Sequence, residues 1–501
     1  MTIDRNSPVP IYHQLKTVIQ SQIAQGVWKP GDRIPTEQEL CKMYHISRSP
    51  VRQALKELVY EGVLTRRPGL GTFVQYNDGS SATPMSPSII RMMTSDAHWA
   101  DVLELAARVW NQSHPEQTVS FQIETVEHDA LYGRLSTAVG NGEAPDAAMV
   151  DGVWIAGLAQ SGFLYALDEL DQETEWHYDE FIHDLYPAFA RANSFRGRMY
   201  GLPIKADASL LWYRKDWFTA EGIDPPRDWD ELLAVAEHFQ TVKNRYGLKY
   251  PLVFPAGPAG GEATIYNLMP FIWSAGAEVF DAHNSHVLLD APATRRALRF
   301  LRDLVQVHHA APTEVTTYRW DTAPYMLATG QAAMALGGSY ESDILLAAGQ
   351  WSPDEFTRYI GYVSPPAVPG GESVSTVGGT SYVVLRQCAR PTLVMEILKV
   401  AVRPNIVGDL YLQKLQNSPY RSFNEWIVPE ATPLLSQTAA MIASGRARPP
   451  IPEYFKISRQ LQAMFEVAIS GTMDIDEVVQ RAAEFIGAIS ERPVQVQSEQ
   501  I

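Results

Sequence analysis

Apolar residues near the amino terminus recur with the spacing of an amphipathic helix. Positions i, i+4, i+7, i+8 and i+12 share one helical face, and here they hold Ile11, Leu15, Val18, Ile19 and Ile23. Gly26 and the turn formers at 29–32 follow this stretch. The first helix is therefore predicted to end before that turn.

Two further helices are predicted after the turn. Thr36 and Glu39 have the spacing of a capping box, in which each side chain bonds the other's backbone, and they open a short helix to about Tyr44. Ser47 is a good N-cap for the next helix. One face of this third helix is apolar, with Val51, Leu55, Leu58 and Val59. The opposite face presents hydrogen-bond donors, namely Arg48, Ser49, Arg52, Gln53 and Lys56.

The stretch after the third helix alternates around a loop. Residues 63–74 read as a strand, the loop Pro68-Gly69-Leu70-Gly71 and a second strand, with Arg66 and Arg67 beside the tip. Two helices joined by a tight turn, the second carrying exposed donors, are typical of a helix-turn-helix, and the hairpin would be its wing. The same pattern also fits a small helical subdomain whose charged face is merely solvated.

The motifs of this segment resemble those of the GntR family of winged-helix regulators. They are Lys29-Pro30-Gly31-Asp32-Arg33-Ile34-Pro35-Thr36-Glu37, Ile46-Ser47-Arg48-Ser49-Pro50-Val51-Arg52-Gln53-Ala54-Leu55 and Gly69-Leu70-Gly71-Thr72-Phe73-Val74. The resemblance implies a DNA-binding domain over 8–76 that binds a near-palindromic operator as a dimer. Its DNA contacts carry over to Arg48, Ser49, Arg52 and Gly69, and we add Gln53, Gln38 and Arg67. Gln38 stands where many members have Arg, and Pro50 where Thr is common.

A change in composition separates this segment from the rest of the chain. Residues 77–87 are rich in Gly, Ser and Pro and are predicted to form a flexible linker. Strands predicted at 88–94, 118–126 and 145–150 then alternate with a helix at 99–112, which indicates an α/β fold with a mainly parallel sheet. Ligands of such sheets bind in loops beyond the strand ends, here near Ser95, Asp96, Asp151 and Trp154.

Several motifs in residues 88–490 resemble the family 1 extracellular solute-binding proteins, the maltose-binding-like group. The most specific are Ala144-Pro145-Asp146, Tyr200-Gly201-Leu202-Pro203, Leu211-Trp212-Tyr213-Arg214-Lys215-Asp216-Trp217-Phe218, Trp273-Ser274-Ala275-Gly276-Ala277-Glu278 and Gly337-Gly338-Ser339-Tyr340. The resemblance implies a type 2 periplasmic-binding-protein fold, with two α/β lobes around a hinged cleft. We place hinges near Ala206, Gly337 and Tyr382, and a C-terminal tail at 491–501.

A carbohydrate cleft needs aromatic rings for the apolar sugar faces and charged groups for the hydroxyls. By family position, the strongest ligand-binding candidates are Asp151, Trp154, Asp207, Tyr266, Trp273 and Tyr340. Further candidates are Asp96, Trp99, Gly379 and Arg421. Any one of these aromatic residues, taken alone, is more typical of a core. Trp212, Trp217 and Trp229 are assigned to packing, and Tyr340 stands where many sugar-binding members have Trp.

Charge is unevenly distributed along the chain. The 501 residues carry a formal net charge of −16, which by itself argues against a nucleic-acid partner. Residues 1–78, however, hold ten basic and seven acidic side chains, a net charge of +3 that leaves −19 for the remainder. The two parts are therefore predicted to have different functions.

Enzymatic and metal chemistry are not predicted. The two cysteines, Cys41 and Cys388, exclude a disulfide framework, and His308 and His309, predicted to adjoin in a helix, would not share a metal-binding face. No catalytic residue, cofactor or metal is predicted, and no motif of a pyridoxal-phosphate-binding domain occurs. No apolar segment is long enough to span a membrane, and no secretory signal begins the chain.

The sequence thus predicts a cytoplasmic, homodimeric transcription regulator. A sugar or oligosaccharide would bind the solute-binding domain and modulate operator binding, with release of repression as the expected sign. Two alternatives stay open. One is the substrate-binding component of a carbohydrate ABC transporter, and the other is a DNA-binding protein whose second domain is a vestigial scaffold or dimerisation module.

Overall fold

The computed structural model describes residue 3 and residues 11–60, 63–67, 71–75, 87–170, 178–427 and 433–497. The chain divides into two compact units. Unit 1 comprises Met1–Val150, Leu158–Gln172 and Tyr382–Val402, and unit 2 comprises Asp151–Gly157, Glu173–Ser381 and Arg403–Ile501. The chain passes from unit 2 to unit 1 between Ser381 and Tyr382, where one hinge was predicted. The other two predicted hinges, Ala206 and Gly337, lie within unit 2.

The amino-terminal part of unit 1 has the architecture of a winged helix. Its elements are α1 (Ile11–Ala24), α2 (Glu37–Tyr44), α3 (Arg48–Tyr60), β1 (Leu64–Arg67) and β2 (Gly71–Val74). The strands pair antiparallel, with Leu64 opposite Val74 and Arg67 opposite Gly71. Leu15, Leu55 and Leu58 lie in one buried core, as the helical spacing of the sequence requires. The linker predicted at 77–87 lies outside the described residues except for Pro87.

The α/β part of the chain begins with alternating strands and helices. In chain order, its first elements are β3 (Ser88–Thr94), α4 (Trp99–Ser113), β4 (Val119–Thr125), α5 (His128–Asn141), β5 (Ala147–Asp151), α6 (Ile155–Gln160), α7 (Leu167–Leu170), α8 (Tyr178–Asp184), α9 (Pro187–Ala192), β6 (Ser194–Phe195), β7 (Arg198–Met199), β8 (Leu202–Pro203), β9 (Asp207–Arg214), α10 (Lys215–Glu221), α11 (Trp229–Thr241), α12 (Lys243–Tyr246), β10 (Tyr250–Val253), α13 (Glu262–Ser274) and α14 (Pro292–Gln306). The remaining elements are α15 (Thr322–Ala328), β11 (Ala332–Gly338), α16 (Ser342–Gly349), α17 (Pro353–Tyr359), β12 (Ile360–Val363), β13 (Thr376–Gly378), β14 (Thr380–Val384), α18 (Pro391–Ala401), α19 (Pro404–Lys414), α20 (Arg421–Ile427), α21 (Pro433–Ser444), β15 (Arg446–Ala447), α22 (Tyr454–Ser470) and α23 (Ile475–Ser490).

The sheet of unit 1 has parallel neighbours at its centre. Strand β3 pairs in parallel with β4 and with β5, and β14 follows β5 in the sheet order. This confirms the predicted parallel α/β arrangement, which needs a crossover helix between successive strands. The predicted strand at 145–150 starts later and ends at Asp151, so this residue closes β5 instead of lying in the loop beyond it.

The sheet of unit 2 is mixed, in the order β10-β11-β9-β13-β15, with β12 also paired to β9. Strand β9 is antiparallel to β11 and β13, and this register places Asp207 opposite Gly378. The two histidines predicted to adjoin in a helix lie elsewhere: α14 ends at Gln306, and His309 has a left-handed backbone with φ of 50°. That prediction was wrong because the backbone leaves the helix before them.

Candidate functional site

One candidate site is the solvent face of α3. Its predicted donors Arg48, Ser49, Arg52 and Gln53 are all exposed, because the opposite face supplies the buried core of the winged helix. Gln38, at the start of α2, is exposed as well. A helix that projects several donors outward can enter the major groove of DNA and reach base edges and phosphates.

A carboxylate joins the recognition helix to the hairpin. The Nε atom of Arg52 donates to Oε2 of Glu37 over 2.8 Å, and Nη2 of Arg66 donates to Oε1 over 3.2 Å. Glu37 therefore links a cation of α3 to a cation of β1. The Arg52 side chain nevertheless remains 65% exposed. Sequence reasoning missed this role, since an acid in the first turn of a helix is also typical of helix-dipole stabilisation.

Two further predicted DNA contacts are Arg67 and Gly69. Arg67 is the last residue of β1, where it pairs with Gly71. Its side chain and Gly69 lie outside the described residues.

A second candidate site is a small pocket in unit 2. It is lined by Asp151, Gly152, Val153, Ala188, Phe189, Ala192, Asn193, Val377, Gly378, Gly379, Ala447 and Arg448. Asp151 caps the short 3-10 helix Gly152–Trp154 by accepting a hydrogen bond from the Val153 amide over 3.2 Å. The same residue thus ends β5 and faces the pocket, which brings the predicted candidates Asp151 and Gly379 together.

Arg448 carries the positive charge of this pocket. Its guanidinium is 3% exposed and donates through Nη2 to Asp151 over 3.2 Å and through Nη1 to Glu262 over 2.7 Å. Glu262 is held in turn by the hydroxyl groups of Tyr454, at 3.0 Å, and Ser458. A buried charge is tolerated only when it is paired in this way.

Two tyrosine rings pack beside this guanidinium. Arg448 lies 5.4 Å from the ring centre of Tyr266, and Tyr266 meets Tyr340 edge to face at 5.7 Å. Burial raises the pKa of Tyr266 well above its usual range, and the charge of Asp207 adds to that effect. We name Asp151, Asp207, Tyr266, Tyr340 and Arg448 the polar–aromatic cluster. Within the described residues, the Tyr266 hydroxyl and the Arg448 Nε atom have no hydrogen-bond partner.

Glycines make room for the polar–aromatic cluster. A Cβ atom added to Gly378 would lie 2.7 Å from Nη2 of Arg448, and one added to Gly338 would collide with the Tyr340 ring. A Cβ atom at Gly379 would collide with the carbonyl oxygen of Lys205. Backbone packing alone therefore explains the glycine at 379, a predicted ligand-binding position.

A buried carboxyl group lies next to this cluster in sequence. Glu341 is 1% exposed, and its Oε2 accepts a hydrogen bond from the indole of Trp212 over 3.1 Å. Burial raises the pKa of this carboxyl well above its usual range, against the hydrogen bonds that favour its charged form. Trp212 itself is fully buried, as its assignment to packing predicted.

Trp273 lies two helical turns beyond Tyr266 on α13, and it contacts a second arginine. The guanidinium of Arg446 lies 5.0 Å from the Trp273 ring and bonds Glu278 over 2.6 Å. Arg446 and Arg448 are two residues apart in extended chain, so their side chains share one face. Arg446 contacts Trp273, and Arg448 contacts Tyr266. Neither arginine was predicted as a site residue from the sequence. Pro449 and Pro450 follow them, and because a residue before proline favours extended backbone, they were the available signal.

The other predicted ligand-binding residues have different surroundings. Trp154 is buried at the end of the 3-10 helix that Asp151 caps. In unit 1, Trp99 is 1% exposed and packs edge to face on Tyr382, while Asp96 accepts hydrogen bonds from the backbone and ring of His98. Arg421, on α20, donates to the carbonyl oxygens of His183 and Asp184 at the end of α8.

Among the residues that the structure describes, no group of three or more His, Cys, Asp or Glu side chains is arranged to hold a metal ion. None of the described helices is both long and apolar enough to cross a bilayer.

Two family models match the chain. Residues 11–74 match the gntR family of bacterial regulatory proteins, and residues 97–405 match the bacterial extracellular solute-binding proteins. The second match spans more than half of the chain. The chain belongs to the bacterial extracellular solute-binding protein family. Its amino-terminal winged helix is of the gntR type, and neither family consists of enzymes. Both resemblances predicted from the sequence are thereby confirmed.

Individual relatives match one part or the other. The histidine utilization repressor of Klebsiella aerogenes is 46% identical over 78 residues, 16% of this chain and 32% of the repressor. A putative binding protein of Brucella abortus is 25% identical over 301 residues, 60% of this chain and 68% of that protein. A solute-binding protein of Thermotoga lettingae, solved with alpha-D-tagatose, has a TM-score of 0.70 at 23% identity, covering 81% of this chain and all of that one. The two-lobed fold is therefore shown.

Proposed function

We propose that this chain is a sugar-responsive transcription regulator, which binds operator DNA through α3 and the β1–β2 hairpin. The observation that carries the proposal is the union, in one chain, of an exposed donor face on a gntR-type recognition helix with a buried polar–aromatic cluster in a solute-binding fold. Arg48 and Arg52 would read base edges, Ser49, Gln53 and Gln38 would bond bases or phosphates, and the hairpin residues Arg67 and Gly69 would contact the backbone.

The composition of the pocket favours a hydroxyl-rich ligand. Asp151 accepts hydrogen bonds from hydroxyl groups and Arg448 donates them. The rings of Tyr266, Trp273 and Tyr340 do not line the pocket, and opening of the cleft would present their apolar faces to the ring C–H groups of a sugar. The acid and the base that line the pocket, Asp151 and Arg448, already pair with each other. This pairing supports an uncharged ligand, a sugar or oligosaccharide. Asp207, Trp154 and Gly379 are further contacts in unit 2, and Asp96, Trp99 and Arg421 complete the proposed set.

The working unit is proposed to be a cytoplasmic homodimer. A DNA-binding domain at 8–76, a linker at 77–87, a ligand-sensing domain at 88–490 and a tail at 491–501 would make up each copy. Hinges near Ala206, Gly337 and Tyr382 would let the sensing domain close on its ligand. Closure would lower operator affinity in the dimer and release repression.

Loss of DNA binding in a recognition-helix variant tests the first half of the proposal. Operator sequences are first selected from random duplexes with the full-length protein. Arg48→Ala combined with Arg52→Ala should abolish retention in a gel shift at physiological salt. The matched control is Arg108→Ala with Arg134→Ala, two exposed arginines of α4 and α5. Failure to select any duplex, with sugar binding intact, would favour a transport receptor instead.

Calorimetry of the full-length protein tests the second half. D-tagatose, maltose, maltotriose and other mono- and oligosaccharides are titrated in turn. Tyr266→Phe removes a buried hydroxyl that has no partner within the described residues, so it should weaken sugar binding without lowering the melting temperature. Tyr325→Phe, at a tyrosine that is 53% exposed, is the matched control. No binding of any sugar by folded protein would favour the vestigial scaffold.

A further inference from the structure

The first turn of α1 packs against the α/β part of unit 1. Tyr12 and His13 lie in this turn, and they are only 5% and 7% exposed although both are polar. The Tyr12 hydroxyl donates to the carbonyl oxygen of Gly142, and Nε2 of His13 donates to that of Gln387 over 2.7 Å. Burial raises the pKa of Tyr12 to about 12, so its hydroxyl remains a donor at neutral pH. These four residues form what we call the α1 docking contact.

The surface that α1 contacts is fixed by its own packing and hydrogen bonds. Gly142 caps the end of α5 with a left-handed backbone, φ 73°, and a Cβ atom there would collide with the Tyr12 ring. The Gln387 side chain ties the same region together, since its Nε2 donates to Val139 over 2.8 Å and its Oε1 accepts from the Ala144 amide over 3.2 Å. The end of α5 and the turn after β14 therefore form one fixed platform.

The other side of α1 holds the recognition helix. Tyr12 belongs to the same buried core as Leu55 and Leu58 of α3. Lys16, which is 6% exposed, forms a 3.0 Å ion pair with Glu57 of α3. A displacement of α1 would therefore carry α3 with it, because packed cores move as units.

We propose that α1 is the coupling element between ligand sensing and DNA binding, and that the α1 docking contact transmits the signal. The inference rests on the function proposed above and goes beyond it by assigning the route. A winged helix seated on the sensing domain follows the orientation of that domain. A winged helix joined only through residues 77–87 would not. Two such domains in a dimer can then be moved into or out of register with two half-sites of an operator.

The test is a substitution that fills the contact without changing a residue of either proposed binding site. Gly142→Asn suits this purpose, because asparagine tolerates the left-handed backbone while its side chain would displace Tyr12. Gly222→Asn is the matched control: Gly222 caps α10 with φ 67°, and nothing lies within 4 Å of an added Cβ atom. His13→Ala, which removes the bond to Gln387, is a second variant in case the first does not fold.

Operator affinity is measured by fluorescence anisotropy with and without saturating D-tagatose, maltose or maltotriose. In the wild-type protein, one of these sugars should change operator affinity by about 5- to 150-fold, the usual range of allosteric coupling. In Gly142→Asn and His13→Ala the change should shrink toward onefold, with sugar affinity kept, while Gly222→Asn responds as the wild type does.

The outcomes separate the two proposals. Full coupling in both contact variants would overturn the docking inference and leave the proposed function standing. A wild-type protein that binds sugar and operator but shows no coupling would overturn the proposed function, and the inference with it. Loss of coupling in Gly222→Asn as well would also overturn the inference, since the effect would then not depend on the contact.

Discussion

At the scale of single residues, burial decides which charges the molecule keeps. Arg448 stays charged in the interior because its two terminal nitrogens form ion pairs with Asp151 and Glu262. Glu341 is equally buried and has the Trp212 indole and Tyr340 as hydrogen-bond partners, but among the described residues it forms no ion pair with a cation. Burial therefore raises its pKa well above the usual range. The same buried interior thus pairs a cation with two carboxyl groups at one place and raises the pKa of a third carboxyl group at a neighbouring place.

Glu341 gives a prediction about pH. A carboxyl whose pKa is raised by folding contributes stability that is full below its unfolded pKa, near 4.5, and is lost as pH rises through the folded value. Glu341→Gln cannot ionise, so its melting temperature relative to the wild type should rise as pH is increased from 5 to 9. The difference in the free energy of unfolding between the two proteins should change by at most about 1.4 kcal/mol per pH unit. Paired thermal melts across this range measure the difference in melting temperature. A difference that stays constant with pH would show that folding does not raise the pKa of this carboxyl.

At the scale of elements, local sequence motifs set helix boundaries. The capping box predicted at Thr36 is present: Thr36 accepts from the Glu39 amide over 3.3 Å, and Glu39 accepts from the Thr36 amide over 2.7 Å. The same motif occurs at Ser352 and Glu355, where it begins α17. Such motifs act within four residues, which is why they can be recognised without a tertiary structure.

The cap at Thr36 is expected to stabilise α2. Thr36→Ala should cost about 1 kcal/mol, because the orphan amide of Glu39 loses its acceptor. Thr36→Ser keeps the hydroxyl and should cost little. Amide hydrogen exchange in α2 of the full-length protein measures the effect, which should be confined to the winged helix. Equal exchange in both variants would mean that the hydroxyl does not stabilise this helix.

At the scale of the whole molecule, charge is distributed unevenly between the amino-terminal segment and the rest of the chain. The net charge of −16 splits into +3 for residues 1–78 and −19 for the remainder. At about 0.1 M salt the Debye length is about 10 Å, so acids farther away than that hardly weaken phosphate binding by the recognition helix. A small basic domain can therefore bind DNA although the chain as a whole is acidic.

This division predicts a salt dependence. The logarithm of operator affinity should fall linearly with the logarithm of salt concentration, by about 0.9 for each phosphate contact. Because Arg67 is proposed to contact the DNA backbone, Arg67→Ala should make the slope shallower by about that amount. Arg108→Ala on α4 should leave it unchanged. Anisotropy titrations at several salt concentrations provide both slopes, and a salt-independent affinity would contradict an electrostatic interface.

The sequence alone determined the winged helix, the α/β alternation and most of the proposed ligand-binding set. Periodicity and capping are local, so they could be recognised from the sequence, and the resemblance to the solute-binding family allowed Asp151, Tyr266 and Tyr340 to be chosen by their position in it. Only the tertiary structure decided which of them meet. Arg448 pairs with Asp151 across 297 residues of chain, and Tyr12 docks on Gly142 across 130, because β-sheet pairing and core packing bring distant segments together. No local pattern encodes such contacts, and for the same reason the contacts made by Arg448, Glu37 and Tyr12 became visible only in the fold.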